Sequence, residues 1–350
     1  MKMKFNDFVI ENFTEPYIIA ELGSNHNGDM NLARRMIDIA KERGADCVKF
    51  QSWTKETIFS KEVYDKNYFL ADDYRNREDY TLEQIVEKFS VSEKELIELK
   101  EYCDKVKIDF TSTPFSKREV DFLVDILNVS FVKVASMDLN NYPFLEYIAK
   151  KNKPIVLSVG LSTLADIDEA VSAIKKAGNN QIILLHCVSI YPPKDDEVNL
   201  NNIDMLRNLY QCPVGYSDHT LGTTAPILSI AKGACIIEKH FTLDKEMFGW
   251  DHKISADPEE LEIIVRECKK AYKMLGSYNK IVTESQERKD AFRRSIVAAR
   301  DIKEGEVIQE EDLDYKRPGT GIEPRYRNFI IGKPAKRNLK YDEIIQMEDF

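Results

Sequence analysis

Eight short β-rich runs, spread over the first 240 residues and separated by amphipathic stretches, leave this chain very few folds to choose from. The runs are Tyr17-Ile18-Ile19-Ala20, Cys47-Val48-Lys49-Phe50, Ile108-Asp109-Phe110-Thr111, Phe131-Val132-Lys133-Val134, Pro154-Ile155-Val156-Leu157, Ile182-Ile183-Leu184-Leu185, Pro213-Val214-Gly215-Tyr216 and Cys235-Ile236-Ile237-Glu238. Between them, apolar residues recur three and four apart, as over 32–45, 93–105, 144–150 and 165–177, which is the spacing of one helix face. Ser92, followed three residues later by Glu95, predicts a capping box at the start of one of these helices. Strand-then-helix alternation requires parallel pairing with right-handed crossovers. Eight repeats favour a closed (β/α)8 TIM barrel over an open doubly wound sheet, and no glycine-rich dinucleotide fingerprint follows the first run.

A barrel of this kind takes about 250 residues, and the chain has 350. The alternating pattern stops near residue 280, and an internal repeat follows. Ala299–Leu313 matches Lys336–Phe350 at a constant offset of 37, with Gly305 and Asp342 in the same place, a turn between two short strands. The expected organisation is therefore a barrel over 1–280, a linker over 281–293 and a small pseudo-two-fold β-rich domain over 294–350. A unit of that size holds little core by itself and should lean on the barrel or on a partner chain.

Composition excludes several functions. The formal net charge of -10, from 50 basic against 60 acidic residues, argues against a general nucleic-acid or anionic-membrane binder. From Gln286 onward the chain carries 14 of each sign, so the whole excess of acid lies on the barrel segment. No apolar run reaches the roughly 18 residues of a membrane span, and Met1-Lys2-Met3-Lys4-Phe5 lacks the apolar stretch of a signal peptide. The cysteines at 47, 103, 187, 212, 235 and 268 are scattered, with no Cys-x-x-Cys. The expectation is a cytoplasmic protein with reduced thiols. One segment breaks the rhythm: 60–90, charged and aromatic (Tyr64, Tyr68, Phe69, Tyr74, Tyr80), enters after the second strand, on the side where a lid or a plain surface loop would stand.

Working residues of such a barrel stand at the C-terminal ends of the strands. Those positions are polar here: Glu21 with Asn25, His26 and Asn27; Lys49 and Gln51; Thr111 to Thr113; Lys133 and Ser136; Ser158; His186 and Tyr191; Ser217, Asp218 and His219; Glu238, Lys239 and His240. Four of the five histidines fall there, and His252 follows the eighth strand beside Asp251. Two lysines converging with hydroxyls make an anion site, most naturally for a phosphate. His219 and His240, on adjacent strands, offer two nitrogens to a divalent cation and leave positions open, which suits Mn²⁺ or Mg²⁺ polarising a carbonyl.

Several segments resemble the sialic acid (nonulosonate) synthase family. They are Ile19-Ala20-Glu21-Leu22-Gly23-Ser24-Asn25-His26-Asn27-Gly28-Asp29, Val48-Lys49-Phe50-Gln51, Ser112-Thr113-Pro114-Phe115, Lys133-Val134-Ala135-Ser136, Gly215-Tyr216-Ser217-Asp218-His219-Thr220 and Glu238-Lys239-His240-Phe241. Arg317-Pro318-Gly319-Thr320-Gly321-Ile322 resembles the signature of that family's antifreeze-like (SAF) domain. The resemblance implies condensation of phosphoenolpyruvate with an open-chain N-acylated amino sugar, giving a nine-carbon 2-keto acid and phosphate. It assigns Lys49, Thr113, Lys133, Ser136, Ser158 and Ser217 to phosphoenolpyruvate, and His219 and His240 to the metal. It places Glu21, Gln51, Tyr191 and Asp251 around the sugar or the attacking water, with Glu21 as the base. It also implies a domain-swapped homodimer in which Arg317 enters the partner's site. Two rival readings remain at this stage: a phosphoenolpyruvate-dependent aldol synthase of the octulosonate-phosphate type, and a non-catalytic carbohydrate-binding protein. The resemblance leaves the acceptor open among N-acetylmannosamine, its 6-phosphate and a 2,4-diacetamido-trideoxyhexose. Ser189 stands where the N-acetylneuraminate synthases often carry Asn, and Phe248-Gly249-Trp250 where many members of the family have a Pro-Gly-Pro type turn.

Overall fold

The computed structural model describes residues 2–66 and 81–350, which fall into two compact units, Met1–Gly276 and Ser277–Phe350. Tyr68, Phe69, Tyr74 and Tyr80 lie outside the described residues. Among the described residues no helix is long and apolar enough to cross a membrane, and the six cysteines are free and buried.

The first unit opens with a hairpin, β1 (Met3–Phe5) and β2 (Phe8–Ile10). Eight parallel strands follow: β3 (Tyr17–Gly23), β4 (Cys47–Gln51), β5 (Asp109–Thr113), β6 (Val132–Val134), β7 (Ile155–Ser158), β8 (Ile182–Cys187), β9 (Val214–Asp218) and β10 (Ile236–His240). They hydrogen-bond in the order β5-β4-β3-β10-β9-β8-β7-β6, so β10 pairs with β3 and the sheet curls nearly shut. The expected closed ladder is incomplete at one seam. Among the described residues no ladder joins β5 to β6; there the Thr111 hydroxyl donates to the Phe131 carbonyl at 3.3 Å. Strand β6 has only three residues, and all three pair with β7.

Successive side chains alternate between the lumen and the helical layer. Val48 and Phe50 of β4 point outward, into a core shared with Ala33, Met36 and Ile37 of the helix Met30–Glu42. Other helices sit where the apolar spacing put them, at Glu93–Val106, Tyr142–Ala149 and Leu164–Lys176, and Ser92 and Glu95 form their capping box. At the N-terminal end the lumen is filled by apolar side chains. Phe5 stacks on Phe131 at 4.1 Å and meets the edge of Tyr17 at 5.4 Å, above Ile19, Cys47, Ile183 and Ile236. The hairpin is thus a stopper, and its three-residue strands were too short to stand out in the sequence. The stopper confines polar side chains to the opposite end of the lumen.

The second unit contains the antiparallel pair β11 (Ser295–Ala298) and β12 (Leu313–Lys316). The repeat is a true pseudo-dyad. Ile302 and Leu339, equivalent positions in the two copies, bridge each other through reciprocal bonds of 2.9 and 2.8 Å. The bridge Val297–Ile344 has its counterpart in Val307–Pro334. Each copy also carries one arginine clamp: Arg300 binds Asp312 and Glu306, and Arg337 binds Asp349 and Glu343, all at 2.6 Å. Gly305 and Asp342 share a positive φ, +79° and +68°, as the turn demands. Its core is small, built on residues such as Ile296, Ile308, Ile330 and Ile345.

Candidate active site

The C-terminal half of the lumen holds the charged cluster. Lys133 on β6 and Glu238 on β10 lie far apart in strand order, yet Nζ is 3.8 Å from Oε1, a contact that spans the lumen. Glu238 also lies 3.7 Å from Lys49, and Lys49 pairs with Glu21 on the adjacent strand. Hydroxyls complete the set. Lys133 donates to Ser158 at 2.8 Å, Lys49 to Thr113 at 3.0 Å, and Ser217 to Glu238 at 2.9 Å. Beside them, Ser136 accepts the Gly160 backbone N–H at 3.0 Å. A Cβ on Gly160 would stand 2.8 Å from the Ser136 hydroxyl, and Ser189 is closer still, so this concavity exists because residue 160 has no side chain.

All six residues assigned to phosphate binding therefore come from adjoining strand ends and loops of one barrel end. Glu238, which sequence reasoning placed at a strand end without a role, is the carboxylate that both lysines face. Its parity was readable: it lies two positions before His240 on a strand whose alternate residues face inward. Gly160 was not singled out, and its only signal is a glycine two residues after a strand that ends in serine.

Burial works against the Glu238 carboxylate, but Lys133 and Lys49 together with Ser217 hold it below the usual range. Burial instead pushes Glu21 up to about 7; the Glu238 charge adds to this, and Lys49 offsets it only in part. Burial also lowers Lys133, while Glu21 and Glu238 outweigh burial at Lys49 and keep it charged. Near neutrality the cluster thus carries two ammonium groups against one firmly charged carboxylate, with Glu21 close to its midpoint. Its local sign opposes that of the whole protein.

Toward the rim, the His219 and His240 rings lie 5.6 Å apart, with Tyr191 4.1 Å from His219. His219 Nδ1 donates to the Val188 carbonyl at 2.8 Å, which fixes the tautomer and leaves Nε2 available as a ligand. His240 Nδ1 is buried without a hydrogen-bond partner, 3.8 Å from Asp251. Burial, then His219 and the lysines, keep His240 neutral, and burial pushes Asp251 up to about 6. Among the described residues no group of three or more His, Cys, Asp or Glu side chains gathers as a metal cage. Two oriented imidazoles do fit an open site whose other positions come from substrate or water.

Several polar residues at the strand ends turn out to be structural. His186 faces outward, stacked on Tyr216 and bonded to the Val198 carbonyl at 2.7 Å. Asp218 and Lys239 form an ion pair of 2.6 Å behind the strands. His26 is buried against Phe50, and His252 bonds Thr242 and Asn27, tying the β3 loop to the β10 loop. Arg317 belongs to the second unit, where its guanidinium lies 5.0 Å over the Phe292 ring.

Residues 36–280 match the model of the NeuB family, and residues 293–350 match the SAF domain. The chain belongs to the NeuB family. It is 41% identical to an N,N'-diacetyllegionaminic acid synthase of Campylobacter jejuni, over 94% of this chain and 98% of that one. It is 35% identical to the N-acetylneuraminate-9-phosphate synthase of Homo sapiens, over 95% and 92%. Among solved structures, an N-acetylneuraminic acid synthetase from Leptospira borgpetersenii superposes with a TM-score of 0.73 at 36% identity, covering 82% of this chain and 94% of that one.

The electrostatics of this NeuB-family site make a prediction independent of catalysis. Glu21 is raised to about 7 from an ordinary 4.5. Such a group contributes stability that is fully present below the lower value and lost as pH rises through the upper one. The metal-free protein should lose up to about 3 kcal/mol between pH 5 and 8 from this group. The Glu21→Gln variant should show a shallower slope by up to about one proton in denaturant titrations. An identical slope in the variant would contradict the assignment.

Proposed function

We propose that this chain is a nonulosonic acid synthase that condenses phosphoenolpyruvate with the open-chain form of an N-acylated amino sugar, releasing phosphate by C–O cleavage. The observation that carries the reading is the pair of buried lysines, Lys49 and Lys133, sharing the single firmly charged carboxylate of Glu238. A multiply charged anion restores the balance, and the concavity at Gly160 beside Ser136 and Ser158 suits its phosphate. Thr113 and Ser217 complete its contacts. C3 of phosphoenolpyruvate attacks the sugar aldehyde carbon, the aldehyde oxygen takes up a proton to become the new hydroxyl, and C2 becomes oxocarbenium-like. Water adds at C2, the C–O bond to phosphate breaks, and the 2-keto acid forms. Glu21, poised near neutrality and bonded to Gln51, accepts the proton of that water. Gln51, Tyr191 and Asp251 line the acceptor end.

His219 and His240 would hold a divalent cation, Mn²⁺ or Mg²⁺, which supplies Lewis-acid polarisation of the aldehyde oxygen when bound. Asp251, 3.8 Å from His240, accepts a hydrogen bond from a sugar hydroxyl. Among acceptors, the 2,4-diacetamido-trideoxyhexose is favoured: the legionaminic acid synthase relative is 41% identical, against 35% for the N-acetylneuraminate-9-phosphate synthase and 32% for a pseudaminic acid synthase of Campylobacter jejuni. In the second domain, Arg317 serves the partner's acceptor site in a domain-swapped homodimer. The small core of that domain supports this reading.

Phosphate release should require phosphoenolpyruvate, a divalent cation and an amino sugar, with the diacetamido sugar best in a panel that includes N-acetylmannosamine, its 6-phosphate and pentose phosphates. His219→Ala should lower that release by at least about a hundredfold. Activity with a pentose phosphate alone, or full activity in the variant, would refute the reading. A chain truncated after Glu284 should retain the barrel's circular dichroism yet turn over poorly; wild-type turnover would remove Arg317 from the site.

A further inference from the structure

The chain has two tryptophans, and both stand at the C-terminal rim of the barrel. Trp53, just past β4, and Trp250, in the loop after β10, have ring centroids 5.8 Å apart, and Phe89 meets Trp250 edge-on at 6.1 Å. With Ile85 and Val86 they form a small core of their own, distinct from the helical layer and from the stopper. It joins two loops that leave neighbouring parts of the sheet.

Trp53 is 2% exposed, and its indole N–H donates to Gln51 Oε1 at 2.8 Å. An indole can only donate. It therefore faces the oxygen of the amide and turns the NH₂ group the other way, where it donates to Glu21 Oε1 at 3.1 Å. Gly23 leaves room for this arrangement: a Cβ there would lie 3.2 Å from Glu21 Oε1 and 3.4 Å from Gln51 Nε2. The indole thus decides which end of the Gln51 amide meets the carboxyl group.

We propose that Trp53 is a positioning residue for the synthase reaction: its indole N–H locks the Gln51 amide so that a donor faces Glu21, and the rim aromatic core holds that lock in place. The inference rests on the reading of Glu21 and Gln51 as working residues. Without the indole the amide can rotate and present its oxygen to Glu21, so the carboxylate that receives the water's proton loses its donor and its aim.

Trp53→Phe keeps an aromatic side chain in the rim core and deletes the indole N–H. It should lower kcat about tenfold, the effect of one lost hydrogen bond, and leave KM for phosphoenolpyruvate within about twofold. In a Gln51→Ala background the same change should cost less than about twofold more, because the partner through which it acts is gone. Equal losses in both backgrounds, or no loss in the wild-type background, would overturn the proposal. Full activity of Gln51→Ala by itself would overturn the site assignment beneath it, a distinguishable failure. A spectroscopic readout needs no turnover. In ¹⁵N-tryptophan-labelled full-length protein, Trp53→Phe identifies the Trp53 indole resonance. Gln51→Ala should move that resonance upfield and leave the Trp250 resonance in place; an unmoved Trp53 signal contradicts the lock.

Discussion

Two ammonium groups buried in one lumen, Lys49 and Lys133, set the terms for the rest of this molecule. Taking such charges out of water costs several kcal/mol each unless partners return it. Here the return is incomplete: Lys49 pairs closely with Glu21, but burial pushes that carboxyl up to about 7, and Glu238 stands 3.7 and 3.8 Å from the two lysines. Lys133 spends its short bonds on Ser158 and the Val134 carbonyl, Lys49 on Thr113 and Glu21, and the pair keeps an electrostatic deficit that an anionic ligand can fill. Glu21 completes the arrangement by sitting near its midpoint. The same low-dielectric lumen that strengthens the lysines' field keeps that carboxyl half-protonated.

Such a cluster can survive only if the scaffold around it is stiff and otherwise dry. The hairpin stopper provides the second condition, with Phe5 and Phe131 filling the floor of the barrel. Behind the strands, the Asp218–Lys239 pair satisfies its own charges without entering the site, and His186 and His252 are held by local hydrogen bonds. At the rim, the aromatic core around Trp53 and Trp250 joins the β4 and β10 loops. The second unit solves a different problem, a core too small for its chain, by repeating one arginine-clamped turn about a pseudo-dyad.

Much of this was legible in the residues. Strand-helix alternation, the offset-37 repeat and the clustering of Lys49, Lys133, His219 and His240 at strand ends led directly to the barrel, the second domain and the end of the lumen where the charged side chains gather. What was not legible depended on parity and on length. A polar residue at a strand end points inward or outward according to one residue of register, so His186, Asp218 and Lys239 looked like site residues and are not. The stopper strands are three residues each, below the length at which period-2 alternation becomes visible. The open seam between β5 and β6 is a matter of backbone pairing, which apolar runs do not mark. Gly160 matters through the absence of a side chain, which no motif advertises.

The account stands or falls on the two lysines acting together as the anion receptor, and ligand binding without turnover tests that most directly. Calorimetric titration of phosphoenolpyruvate into the metal-free, full-length protein should give measurable binding. Lys133→Met should weaken that binding by at least about a hundredfold, the worth of a buried charge-assisted contact, with the thermal midpoint preserved or raised. Binding of unchanged affinity in folded Lys133→Met protein would mean that the charge cluster is architectural, and that the anion is received elsewhere.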